Sequence, residues 1–293
     1  VTTAARWGFT ALWATLPLTA GPTFADALDQ RSSAFRTSCS VALWVLWIVV
    51  LAASLLPRTP TLTAVRCAAP AAVVAAAWAV AAGPSPDGLD VLALTAAVAA
   101  AGLCLTAWFG DVFVDGDSYG DERRFLLRVP GPLLLAPVPL AWAALVVGAT
   151  TGPLLLAAAE PVVGILALLV GWPVALVCAR ALHALTQRSL IFVPGGVVVH
   201  DLTALVTPVL LRRGRVTALG FAPAGTTALD LTRGSLGTAL ELRLAEPEAL
   251  PIVRRTGRTT ERGEDVRVDA LLVAPSRPAA VVAEARERRI IRG

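Results

Sequence analysis

The pattern of apolar and polar positions changes once, near residue 188. Before that point apolar runs of roughly bilayer length recur, parted by short polar or Pro/Gly breaks. They predict membrane spans near 7–22, 40–56, 64–82, 91–109, 131–150 and 161–182. The first run is short and interrupted by Pro17, so an interfacial or re-entrant segment competes with a span. The third is mostly Ala, and close packing of small residues must hold it in place.

After Arg188 the period becomes two. In 238–244 (TALELRL) Leu240, Leu242 and Leu244 point one way, and Glu241 and Arg243 the other. Residues 266–273 begin the same way, and 228–232 is a shorter copy. Such alternation marks half-buried antiparallel strands. Leu190–Val193 and Val197–His200 flank Pro194-Gly195-Gly196, a compact hairpin with glycine available for positive φ. Gly234-Ser-Leu-Gly237 reads as a further turn. A terminal helix follows, with Ser276 as its expected cap, Pro278 in the first turn, and Val281, Val282 and Ala285 inward. The expected architecture is an α-helical membrane bundle of about six spans (1–187) followed by a small β-rich cytoplasmic domain (188–293) closed by a C-terminal helix.

Charge placement orients the bundle. The stretches 57–66, 110–130 and 180–188 carry arginines, whereas 83–90 and 151–153 carry none. Counting positive residues inside puts the arginine-rich stretches and the C-terminal domain in the cytoplasm of an inner (plasma) membrane, although Arg31 and Arg36 then face out. All eight tryptophans precede residue 188, several near expected span ends. Composition adds less. Every one of the 25 basic residues is Arg, and Lys, Asn and Met are absent, the mark of a GC-rich genome. The segment from 188 on holds 16 Arg against 11 acidic residues, and the rest holds 9 against 10, so the excess positive charge belongs to the β domain. Nucleic acid is not an expected partner: the arginines are dispersed and no Tyr or Trp in that domain offers stacking. Cys39, Cys67, Cys104 and Cys178 show no paired spacing and read as small apolar packing residues.

Short strands, a tight first hairpin and a closing helix resemble the bacterial pleckstrin-homology-like domains appended to polytopic membrane proteins. The phrases IFVPGGVVVHD (191–201), ALDLTRGSLGTALEL (228–242) and APSRPAAVVAEARERRI (274–290) look like a family of actinobacterial integral membrane proteins with no assigned activity. GDSYGDERRFLLRVPGP (116–132) extends the resemblance. In eukaryotic pleckstrin-homology domains a basic motif in the first strand pair reads phosphoinositides. Here that region offers Arg212, Arg213 and Arg215 without lysine or the matching spacing, so that specificity is not carried over.

Candidate chemistry is sparse. In 111–124 (DVFVDGDSYGDERR) Asp115, Asp117 and Asp121 offer hard oxygen ligands for a divalent metal, with Arg123 and Arg124 available to phosphate. The spacing does not complete an EF-hand, and a hydrated loop pairing its own charges is the competing reading. Glu160 is an acid among apolar residues, a candidate for proton or ion coupling. Pro161 directly after it equally marks a helix start at an interface. Gly164, Gly171 and Pro173 could break the last span, as transporter helices are broken. His183 and His200 have no companion histidine and read as a juxtamembrane anchor and a strand-end hydrogen-bonding group. Arg212, Arg213 and Arg215 could meet lipid headgroups or a protein partner, or simply solvate a turn. No catalytic residue and no cofactor is indicated. The leading expectation is a non-enzymatic membrane protein whose β domain serves partner binding, scaffolding or assembly. The alternatives are a metal-dependent enzyme acting on a phosphate-containing, lipid-linked substrate, and a small-solute or ion transporter.

Overall fold

A computed structural model describes residues 2–83, 86–256, 259–261 and 265–290. Residues 84–85, within the break expected at 83–90, lie outside the described residues. The chain divides into two compact units, one of residues 1–113 and 139–183, the other of 114–138 and 184–293.

The first unit is helical: α1 (Thr2–Leu28), α2 (Ser33–Leu55), α3 (Thr59–Ala82), α4 (Gly88–Leu105) and α5 (Ala107–Asp115), then α7 (Pro137–Ala157) and α8 (Pro161–Thr186). A short α6 (Gly131–Leu135) precedes α7. Five of these, α2, α3, α4, α7 and α8, are long and apolar enough to cross a membrane. The run near 7–22 lies inside α1, which is not among them. Its threonines, prolines and Asp26 dilute its apolar content. It packs instead against α2, α3 and α4, stacking Phe9 on Trp13 and against Phe109. Trp13 and Trp47 each donate an indole N–H to the other's carbonyl oxygen, at 3.1 and 2.8 Å.

Several span boundaries shift, and those of the third and fifth are instructive. The third helix starts at Thr59, so Arg66 sits inside it. Its guanidinium donates to the carbonyls of Cys104 and Thr106, at 3.1 and 3.4 Å. That places a cation on the negative end of α4. The fifth span runs 137–157 rather than 131–150, because Pro137 starts a helix readily and Pro153 is tolerated inside it. The last span is continuous through Pro173, Gly164 and Gly171. The glycines permit close approach instead of a break. A Cβ on Gly148 of α7 would lie 2.5 Å from the Gly171 carbonyl oxygen of α8, and one on Gly152 would strike Leu168.

The second unit is the sheet-rich region. Strands β1 (Arg123–Leu126), β2 (Ser189–Val193), β3 (Gly196–His200) and β4 (Val209–Arg212) form one antiparallel sheet in that order. The second sheet is ordered β5 (Val216–Phe221), β7 (Leu240–Pro251), β10 (Asp265–Val273), β6 (Leu229–Asp230). A small ribbon pairs β8 (Arg254–Thr256) with β9 (Thr259–Glu261). The last helix, α9 (Pro278–Glu287), buries Val281, Val282 and Ala285 as its pattern predicts. Its N-cap is Arg277, not Ser276, and no side chain caps it there. The Ser276 amide donates to the Leu126 carbonyl instead, at 2.7 Å. One hydrophobic core joins both sheets and α9, from Phe125, Leu190 and Phe192 to Leu240, Leu242, Leu271 and Val281.

The expected boundary at 188 therefore misses a strand. β1 comes from the connection between α5 and α7, pairs Phe125 with Leu190 across β2, and buries Phe125 and Leu127 in the core. The main chain around it is tied down further: Leu127 N–H donates to Arg188 O and Arg128 N–H to Ala274 O, at 2.9 and 2.8 Å.

Candidate functional site

The first hairpin forms as one of its two glycines requires. Gly196 has φ of 151° and lies so close to the Leu211 carbonyl oxygen that a Cβ would collide with it. β3 can then pair tightly with β4, and the Arg213 amide donates to Gly195 O at 2.9 Å. The hydrogen bond carries Arg212, Arg213 and Arg215 to the hairpin's tip, where all three are exposed at the end of β4 and in the tight turn that follows. Beside Arg213 lies a concavity of roughly 330 Å³ lined also by Asp121, Glu284, Glu287 and Arg288. Arg288 is already engaged, donating to Glu284 and to the Asp121 carbonyl, each at 2.6 Å. Arg213 thus faces acids, which leaves Arg212 and Arg215 as the cations free of that neighbourhood.

The acidic loop does not assemble as a metal site. Asp115 closes the turn into β1: it pairs with Arg123, accepts the Arg124 amide at 2.9 Å and accepts the Ser118 hydroxyl at 3.1 Å. Glu122 pairs with Arg124 at 2.9 Å. Among the described residues no three His, Cys, Asp or Glu side chains come together as metal ligands. Of Asp115, Asp117 and Asp121, neighbours in sequence, it is Asp115 whose carboxylate the turn takes up.

Glu160 is exposed in the turn between α7 and α8, and its carbonyl accepts the Gly164 amide at 2.9 Å. It stands at a helix start, outside the helical span. His183 Nδ1 meets the Thr63 hydroxyl at 2.8 Å, joining α8 to α3. His200 Nδ1 meets Gln187 O at 2.8 Å, a strand-end role.

No protein-family model, curated protein or solved structure matches this chain. Its own geometry must carry the functional reading.

That geometry contains a pair the pattern did not reveal. Arg188 and Asp201 are both buried and meet in a two-pronged ion pair, Nε to Oδ1 at 2.9 Å and Nη2 to Oδ2 at 2.7 Å. The third guanidinium nitrogen donates to Arg128 O at 2.6 Å. Asp201 also accepts the Thr203 amide and hydroxyl at 3.0 and 2.6 Å. Burial works to raise the Asp201 carboxyl, but the Arg188 hydrogen bonds and charge, with Thr203, outweigh it and hold it below the ordinary aspartate range. The pair fastens the start of β2, the end of β3 and the β1 segment to one another. In sequence Arg188 looked like a residue trailing the last span, and Asp201 like an appendage of His200. Their separation by one hairpin was the only available signal, since Ser189 pairs with His200 directly across it.

Proposed function

We propose that this chain is a non-enzymatic integral membrane protein whose β domain, cytoplasmic and pleckstrin-homology-like in organisation, holds a protein partner at the inner membrane. The carrying observation is the division of charge within the domain. Asp115 and Glu122 of the acidic loop are engaged with Arg123 and Arg124 at the turn into β1, while Arg212, Arg213 and Arg215 stay exposed at the hairpin tip. Two sheets on one core closed by a C-terminal helix support the pleckstrin-homology-like assignment.

Strand pairing supports the topology. Since β1 pairs with β2, residues 123–126 and 189–193 share one side of any membrane the chain crosses. The crossings between them must be even in number, and α7 and α8 supply two. The arginine-rich stretches then fall on that same side, which is the cytoplasm by charge placement.

The test is cross-linking in native membranes of the full chain and of a variant with Arg212, Arg213 and Arg215 all replaced by Ala. Loss of specific cross-linked proteins, with membrane insertion unchanged, is the expected result. An identical set of cross-links for both chains overturns the proposal.

A further inference from the structure

On the face of the second sheet opposite the core, β7 and β10 and the segment 223–228 enclose a concavity of roughly 460 Å³. Glu241 and Arg243 of β7 reach it because Leu240, Leu242 and Leu244 point the other way, into the core. Asp269 reaches it from the irregular step in β10, where the register with β7 shifts between Val268 and Ala270. Thr217 and Thr226 add hydroxyls, and Ala224, Ala228 and Ala270 add apolar wall.

Glu241 is the unusual member. Its side chain is only 5% exposed although the strand pattern turns it away from the core. One carboxylate oxygen, Oε1, pairs with Arg243 Nε. The other, Oε2, is buried and has no hydrogen-bond partner. The Thr226 hydroxyl and then Arg243 hold the Glu241 carboxyl below the ordinary glutamate range, so it is ionised at neutral pH. Thr226 lowers it by hydrogen bonding to the carboxylate, yet Oε2 itself has no partner within hydrogen-bond distance.

A buried, ionised oxygen calls for a donor. One water occupies about 30 Å³, a small part of this space. Two carboxylates against the single guanidinium of Arg243 leave the lining net negative. A neutral donor would satisfy Oε2 but leave that charge, whereas a cation answers both and forms the stronger, charge-assisted bond.

We propose that this concavity binds a cationic N–H donor, a guanidinium or ammonium group, which donates to Glu241 Oε2 and is balanced by Asp269. Its carbon stem lies along the alanines. The site shares no residue with Arg212, Arg213 and Arg215, and it goes beyond the partner-binding reading by naming what the second sheet takes. The cation can come from a free amine or from a basic side chain of another protein.

The experiment uses the full chain in detergent micelles and a fluorescein-labelled Gly-Arg-Gly amide, followed by anisotropy, with Gly-norleucine-Gly as the uncharged control. Saturable binding of the arginine peptide alone is expected, displaced by methylguanidinium and by methylammonium. Equal affinity for methylguanidinium points to a free small molecule, and distinctly tighter peptide binding points to a protein side chain. Glu241→Gln should weaken binding about tenfold or more, the loss of one charge-assisted bond. Asp269→Asn, which removes only the balancing charge, should weaken it by a smaller factor. Ala228→Trp fills the space and should abolish binding while leaving Glu241 in place, which covers the case of a Glu241 variant that does not fold. No saturation at millimolar probe, or binding unchanged in both Glu241→Gln and Ala228→Trp, means the space holds water only and overturns the proposal.

Discussion

The last helical hairpin and the second sheet handle apolar residues in opposite ways. Along α8, Ile165, Leu166, Leu169, Val170 and Val177 are exposed, while the close contacts with α7 are made through Gly164 and Gly171. Along β7, Leu240, Leu242 and Leu244 are buried, and Arg243 faces outward. The side chains are equally apolar, so the difference lies in the surrounding solvent. In hydrocarbon, apolar burial drives nothing and helices associate by close packing of small residues. In water, apolar burial is the main driving force and the strand must present alternate faces. The short connection between α5 and α7 belongs to the second regime, although apolar helices precede and follow it.

The strongest way to break that comparison is to remove the borrowed strand. A fragment of residues 184–293 lacking 114–138 loses β1 and the core residues Phe125 and Leu127. It should show no cooperative unfolding, and adding 114–138 as a second chain should restore it. Cooperative unfolding of the fragment alone would show that β1 is an ornament. Next in size is the buried ion pair. Arg188→Ala strands Asp201 as an unpaired buried charge and should destabilise the domain by about 3–5 kcal/mol. Arg188→Met together with Asp201→Leu should be much less harmful, and chemical denaturation of the full chain in micelles measures both. Leu242→Ser and Leu166→Ser set the two solvents side by side. The first should cost the β domain about 3 kcal/mol or more through lost burial and an unsatisfied hydroxyl. The second, on an exposed face of α8, should leave unfolding in micelles nearly unchanged.

Bulk at the helix crossing should act the other way round. Gly148→Leu forces α7 from α8 and should lower the thermal stability of the helical unit while sparing the β domain. The smallest effect is that of pH. The Asp201 carboxyl is held below its unfolded value of about 3.9. Its stabilisation is fully present above that pH and is lost as pH falls through the lower folded value. Denaturation of the β domain compared at pH 7 and pH 3 should show the loss, and Asp201→Asn should flatten it.

Several elements were legible in the chain itself. The hairpin at 189–200, the alternation in 240–244, and the burial of Val281, Val282 and Ala285 all follow from period and turn residues acting over a few positions. The apolar runs marked the five membrane-length helices, with ends displaced where prolines and an arginine proved compatible with helix. Asp115 was singled out for clustered carboxylates, but a cluster in sequence does not say where each oxygen points. The tight turn used Asp115 to fix Arg123 and Arg124.

By itself the sequence determined the two kinds of segment, long apolar runs and alternating strands, and the change from one to the other near residue 188. The length of an apolar run and the period of an alternation are local quantities. Only the tertiary structure decided that residues 123–126 complete a sheet begun more than sixty residues later. It alone decided that Arg188 meets Asp201, and that Glu241 is covered with one oxygen left without a partner. Each of these depends on which distant backbone supplies the missing edge, donor or cover. A strand edge, a buried charge and an orphaned oxygen carry no information about that partner until the chain has closed around them.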